Sequence, residues 1–180
     1  LLYEIETGKY TMVAYSSEKM AYKNDRFIFL AGNTYDGKAY ILSALKVENG
    51  WKYEVAYQDG VYRSNFLYPP AVGKNYVIIN IENVDGNKPR EILYASVKDW
   101  KWTKLGEGVI YYPQIHEDTA FFAYNGNVWA CDLTKSSTNI ETDCRKVNRE
   151  GEKATSPAVK KGNKNLTIYT AESGYQQLYM

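Results

Sequence analysis

Short runs of β-branched and aromatic residues alternate along the chain with polar, glycine-bearing turns, and the alternation repeats. Three segments share one order: Tyr68-Pro-Pro-Ala-Val72, Tyr111-Tyr-Pro-Gln-Ile115 and Thr155-Ser-Pro-Ala-Val159. Their common prolines, Pro70, Pro113 and Pro157, lie 43 and 44 residues apart. After each comes a short polar turn and then an apolar run, at 76–81, 120–124 and 166–170. An earlier copy lacks the proline but keeps the order, with 19–22 followed by 26–30. Each run then meets a tight turn: Tyr35-Asp36-Gly37, Asp85-Gly86-Asn87, Asn125-Gly126-Asn127 and Ser173-Gly174. Asp-Gly and Asn-Gly are strong hairpin signals, because the favoured two-residue turn needs positive φ at its centre. A further run follows each turn, at 39–42, 91–94, 127–130 and 177–180, and a weaker fourth at 51–55, 101–105 and 144–147. In Trp51-Lys-Tyr-Glu-Val55 the apolar residues fall at every second position, as a half-buried strand requires.

Four short antiparallel strands in about 40–50 residues are the unit of a β-propeller blade. A β-sandwich also has evenly spaced strands, but it has no reason to repeat a proline-marked element at this interval. The predicted fold is therefore all-β, a small propeller of about four blades of four antiparallel strands, spanning 1–180 as one domain. Whole blades fall near 17–58, 66–108 and 110–150, and a last blade is split between 1–15 and 154–180. Thr155-Ser-Pro-Ala-Val159, a glycine turn, Leu166-Thr-Ile-Tyr169 and Gln177-Leu-Tyr-Met180 together resemble the WD40-like repeats of TolB and of prolyl-oligopeptidase-type propellers. That resemblance implies a propeller fold and says little about activity.

The expected strand total is one more than four blades need, since both ends supply a third strand. Three readings remain open: a register error of one strand, a chain that is part of a longer propeller, or a terminal strand that pairs with a neighbouring molecule. The third follows the logic of strand addition to an open sheet edge, and head-to-tail contacts of that kind propagate into filaments. It singles out Leu1, Leu2, Tyr3 and Ile5 at one end and Leu178, Tyr179 and Met180 at the other as subunit-contact strands.

Composition sharpens this picture. The 180 residues include 18 Tyr, 5 Phe and 4 Trp, an aromatic content that suits pleated, half-buried sheets. The four tryptophans, Trp51, Trp100, Trp102 and Trp129, are expected to pack between blades. Exposed tyrosines could form a sugar-binding or subunit-contact surface. Lys and Arg number 22 against 21 Asp and Glu, which argues against a nucleic-acid partner. Basic residues do cluster at 145–164, as Arg145, Lys146, Arg149, Lys153, Lys160, Lys161 and Lys164. That cluster reads as a solvated face, with a polyanion or neighbouring-subunit contact as the alternative. No apolar window is long enough for a transmembrane helix. The chain opens Leu1-Leu2-Tyr3, without an initiator Met or a signal-peptide pattern, which predicts a mature or trimmed product.

Cys131 and Cys144 bracket a predicted strand-loop-strand that could bring their Cβ atoms together. A disulfide in an oxidising compartment is favoured over two separate buried thiols, and no further Cys supports a zinc site.

Candidate chemistry is sparse. His116, the single His, lies in Gln114-Ile-His-Glu-Asp118, where neighbouring side chains point different ways; a surface turn is expected rather than a base or metal ligand. Asn83-Val-Asp85-Gly86-Asn87 begins like a calcium loop, but Tyr94 stands at its twelfth position, so a hairpin turn is expected. Glu4, Glu54, Asp59, Glu91 and Asp132 are scattered and cannot be paired for glycosidase chemistry from sequence. No nucleophile elbow, P-loop or dinucleotide fingerprint is present. Asn165-Leu-Thr167 is the one glycosylation sequon.

These readings predict no catalytic, cofactor-binding or metal-binding residues. They point to a non-enzymatic, extracellular or cell-surface structural protein whose partner is another copy of itself. The alternatives are a carbohydrate- or peptide-binding propeller module, reading its ligand at the mouth of the central tunnel, and the propeller fragment of a larger hydrolase.

Overall fold

A computed structural model describes residues 2–4, 8–11, 20–30, 39–59, 62–66, 68–83, 85–159, 167–172 and 176–179. The chain is all-β, a series of antiparallel sheets taken in sequence order. β1 (Leu2–Glu4) and β2 (Lys9–Thr11) form a hairpin. The first sheet follows, a meander of β3 (Met20–Lys23), β4 (Arg26–Leu30), β5 (Ala39–Val47) and β6 (Gly50–Asp59). The second contains β7 (Tyr62–Phe66), β8 (Ala71–Val72), β9 (Tyr76–Asn83), β10 (Glu91–Ser96) and β11 (Trp102–Glu107). The third is β12 (Tyr111–His116), β13 (Thr119–Tyr124), β14 (Asn127–Asp132) and β15 (Arg145–Lys146). The last is β16 (Ala154–Val159), β17 (Thr167–Glu172) and β18 (Gln176–Tyr179). Among the described residues no ladder joins the N-terminal hairpin to the last sheet. The strand absent from the sequence reading is β7, which pairs with β9 on the edge that β8 also uses.

Local chemistry sets these pairings. Asn125 and Gly126 have φ of 49° and 72°, the left-handed pair that a two-residue hairpin requires, and Tyr124 pairs with Asn127 across them. Asn24 and Asp25, at 51° and 59°, do the same between β3 and β4. Asn83 Oδ1 accepts from the Asp85 amide at 2.9 Å and Asp85 Oδ1 from the Asn87 amide at 3.1 Å, so this segment is a side-chain-closed turn between β9 and β10.

The sheets stack face to face. Ile28, Ile41 and Ala56 of the first sheet pack on Val77, Ile79, Ile81 and Leu93 of the second. The opposite side of the second sheet, with Ile78, Ile92, Tyr94 and Leu105, packs on Ile115, Phe122 and Trp129 of the third. Ala154 then closes on Ala123 and Val128. Bonds between sheets span about one repeat. Asn75 Nδ2 donates to Asp118 at 3.0 Å, Gln114 Nε2 to the Pro157 carbonyl at 2.9 Å, and the Tyr94 hydroxyl to the Ser137 carbonyl at 3.1 Å, each across 43 residues. The strands β3, β8, β12 and β16 of successive sheets are neighbours. Lys23 Nζ donates to the Ile115 carbonyl, two repeats away. Successive antiparallel sheets, several of them four-stranded, whose strands gather in this way are compatible with a propeller-like fold. Gly73 permits the close approach there, since a Cβ would come within 2.5 Å of Ile115 Cγ2.

Candidate functional site

Equivalent rows run across the sheets. In the second sheet, Val72, Val77, Ala95 and Trp102 are successive cross-strand partners. In the first, the row is Tyr22, Phe27, Ala44 and Tyr53. In the third it is Ile115, Ala120 and Cys131. In the second and third sheets the row faces toward the preceding sheet. Val72 and Ile115 are 3% and 2% exposed, and Trp102 donates its indole N–H to the Ala56 carbonyl of the first sheet at 2.7 Å. Tyr22 and Tyr53 hold the matching places in the first sheet and are 50% and 49% exposed. Met20 and Val55 are also about half exposed. Tyr22 and Trp51 close over Phe27, with ring centroids 4.5 and 5.4 Å from it. The outer side of the first sheet thus exposes Met20, Tyr22, Tyr53 and Val55 around a buried centre of Phe27 and Ala44.

This overturns two expectations. Trp51 packs on that open side beside Phe27 rather than between sheets. Trp100, Trp102 and Trp129 do pack between sheets. The alternation in β6 also has the opposite sense from a strand that buries its apolar side. Tyr53 and Val55 face out, while Glu54 faces the second sheet. There Glu54 Oε2 accepts from Trp100 Nε1 at 3.2 Å and lies 3.4 Å from Arg26 Nη1, and Lys52 Nζ is 2.7 Å from Oε1. Arg26, almost fully buried, also donates to Ser43 Oγ and lies over the Trp100 ring. The Lys52 hydrogen bond, with help from Trp100 and Arg26, holds the Glu54 carboxyl below its usual range against the opposing effect of burial. The polar partners, not the apolar period, decide which way β6 faces.

A cleft of about 270 Å³ lies where β3, β8 and β12 meet, lined by Tyr22, Lys23, Pro70, Val72, Pro113 and Gln114 among others. Beside Pro70 and Pro113, Tyr68 packs its ring 5.3 Å from Tyr111 and 5.4 Å from Tyr112. Tyr112 has φ of 51° at the bulge of β12, and both it and Tyr111 are exposed. Burial raises the Tyr68 hydroxyl above its ordinary range, with smaller contributions from Tyr112 and Tyr111.

The side chains of Glu4 and Asp59 lie outside those described, and the other catalytic candidates stand apart. His116 ends β12 opposite Thr119 in a tight turn whose Glu117 has φ of 52°. Asp118 is engaged by Asn75. Among the described residues no group of three or more His, Cys, Asp or Glu is placed to hold a metal ion. Glu91 shares Lys104 with Glu107, and Asp132 caps a 3₁₀ turn through the Thr134 amide at 3.1 Å. One buried group was not foreseen. Asn80 donates to the Glu91 and Gly108 carbonyls at 3.0 and 2.9 Å, while its Oδ1 has no hydrogen-bond partner among the described residues.

Cys131 and Cys144 are joined by a disulfide, with Cα atoms 4.5 Å apart. The loop between them continues from the 3₁₀ turn Leu133–Lys135 into α1 (Ile140–Asp143). Asn139 caps α1, and Asp143 accepts from the Thr138 and Asn139 amides at 2.8 and 2.9 Å. The loop buries Leu133 and Ile140 against the second sheet. Leu2 and Tyr3 lie on β1, and Leu178 and Tyr179 on β18 at the edge of its sheet. Leu1, Ile5, Met180 and Asn165 lie outside the described residues, as do Lys160, Lys161 and Lys164. No described helix is long and apolar enough to cross a membrane. No protein-family model and no curated protein matches the chain.

Proposed function

We propose that this chain is a non-enzymatic structural β-propeller protein of the cell exterior that assembles with copies of itself. The observation that carries this reading is the open outer side of the first sheet. Met20, Tyr22, Tyr53 and Val55 are each about half exposed there, and Tyr22 and Tyr53 occupy places that the second sheet packs against its neighbour. Contiguous exposed apolar surface of this kind marks protein contact. The disulfide supports an oxidising compartment. The last sheet adds a second route, because β18 is an edge strand of a three-stranded sheet and can accept a further strand from a neighbour. Electron microscopy and sedimentation of the purified chain test the proposal. Regular assemblies are the expected result, and monodisperse monomers at high concentration overturn it.

A second reading has its own observation. Tyr68, Tyr111 and Tyr112 form an aromatic cluster beside the cleft, a surface suited to stacking on a sugar ring or a peptide side chain. A glycan and peptide array separates it from the first: a saturable ligand lost on Tyr112→Ala favours a binding module.

A further inference from the structure

We infer that Tyr68, Tyr111 and Tyr112 form a site of oxidative cross-linking, at which hydrogen peroxide acting through a haem peroxidase couples Tyr68 covalently to Tyr111 or Tyr112. The three rings meet across two sheets. Tyr68 lies just before β8, and Tyr111 and Tyr112 open β12. The Tyr68 ring centroid is 5.3 Å from that of Tyr111 and 5.4 Å from that of Tyr112, at interplanar angles of 61° and 52°. Tilted rings at such separations are in direct contact, so a small rotation of the side chains brings together the ring carbons ortho to the hydroxyls. The backbone holds this arrangement. Successive side chains of a regular strand point to opposite sides, yet Tyr111 and Tyr112 both meet Tyr68. The bulge of β12 between Tyr111 and Gln114 makes that possible, with Tyr112 at φ of 51°, a conformation that bulky residues rarely adopt. Pro69 follows Tyr68 and restricts its backbone to extended conformations.

The chemistry balances with one peroxide. Each of two tyrosines gives up its hydroxyl hydrogen as a proton and an electron, leaving a phenoxyl radical. The radicals join through one carbon–carbon bond between their ortho carbons, and the hydrogens displaced from those carbons return to the oxygens. The two electrons and two protons released reduce hydrogen peroxide to two waters. Exposure selects the site. Tyr111 and Tyr112 are 41% and 51% exposed, so the oxidant reaches them. Tyr76 and Tyr94 are also neighbours, at 6.5 Å, but Tyr94 is buried and donates to the Ser137 carbonyl. Tyr22 is exposed and packs on Phe27, which has no hydroxyl to oxidise. The inference rests on the cell-exterior part of the proposed function only for its supply of oxidant. It does not depend on self-assembly, because the bond forms within one molecule and ties the second sheet to the third.

Treatment of the dilute full chain with hydrogen peroxide and a haem peroxidase tests this. Dityrosine fluorescence reads the product, and mass spectrometry of digests locates it as two peptides joined with the loss of two hydrogens. The expected result is a cross-link from Tyr68 to Tyr111 or Tyr112 in chains that still run as monomers on denaturing gels. Tyr68→Phe keeps the ring and should abolish this cross-link, with circular dichroism melting to confirm that the variant is folded. Tyr22→Phe should leave the cross-link intact. The peptide map of the wild type needs no variant, so it decides the matter even where a substitution disturbs folding. Cross-links scattered over other tyrosines, or none at Tyr68, overturn the inference. Cross-links formed only between molecules overturn it as well and leave the self-assembly reading standing.

Discussion

The first and second sheets are built from matching rows yet live in different surroundings. In the second, Val72, Val77, Ala95 and Trp102 lie against a neighbour, and the other side is covered as well, so β9 and β10 are buried almost throughout. In the first, the same row carries Tyr22, Phe27, Ala44 and Tyr53 and meets solvent at its two ends. The cross-strand rows match; what differs is how far their ends are covered. The side chains of the first sheet nonetheless suit a covered position, being aromatic and aliphatic where an uncovered sheet side would carry polar residues.

Matched substitutions can break this comparison. Trp102→Ala removes a packed indole and its bond to Ala56, and is expected to cost about 3–5 kcal/mol in chemical denaturation. Replacing Cys131 and Cys144 with Ser should cost about 3 kcal/mol and lower the melting temperature by roughly 6–12 °C. It frees the loop that anchors Ile140 against the second sheet, and reduction of the wild type should reproduce the loss. A smaller effect is expected from acid. Because the folded Glu54 carboxyl titrates below its unfolded value, its contribution is fully present above the unfolded pKa of about 4.3. That contribution is lost as pH falls through the lower folded value. Melting temperatures recorded down from pH 6 should therefore fall less steeply for Glu54→Gln than for the wild type. Tyr53→Ala, the counterpart of Trp102→Ala, should change the stability of the dilute monomer by no more than about 0.5 kcal/mol. A loss as large as that of Trp102→Ala would mean that the outer side is already covered within one molecule.

Much of the architecture was legible because the repeat writes itself into residues with local meaning. Pro70, Pro113 and Pro157 mark the start of successive units, and Asn125-Gly126 specifies its own turn. The sense of β6 was not legible. Alternation fixes which residues share a side and leaves open which side meets the neighbour. Here that choice depends on Arg26 and Trp100, 28 and 46 residues from Glu54. The exposure of Tyr22 and Tyr53 was hidden for the same reason, since both read as ordinary blade positions. The tyrosine cluster beside the cleft depends on Tyr68 and Tyr111 meeting across two units, which no local pattern encodes.

The bonds that span one repeat also have a mechanical meaning. Tension applied at the two ends would load the sheets in series, each joined chiefly to its neighbours, as in other stacked repeat proteins. The disulfide-tied loop braces the third sheet against the second through Ile140 and the Tyr94–Ser137 bond. Lys23 adds a cross-tie from the first sheet to the third. The second and third sheets, braced in this way, should be the last to yield under force.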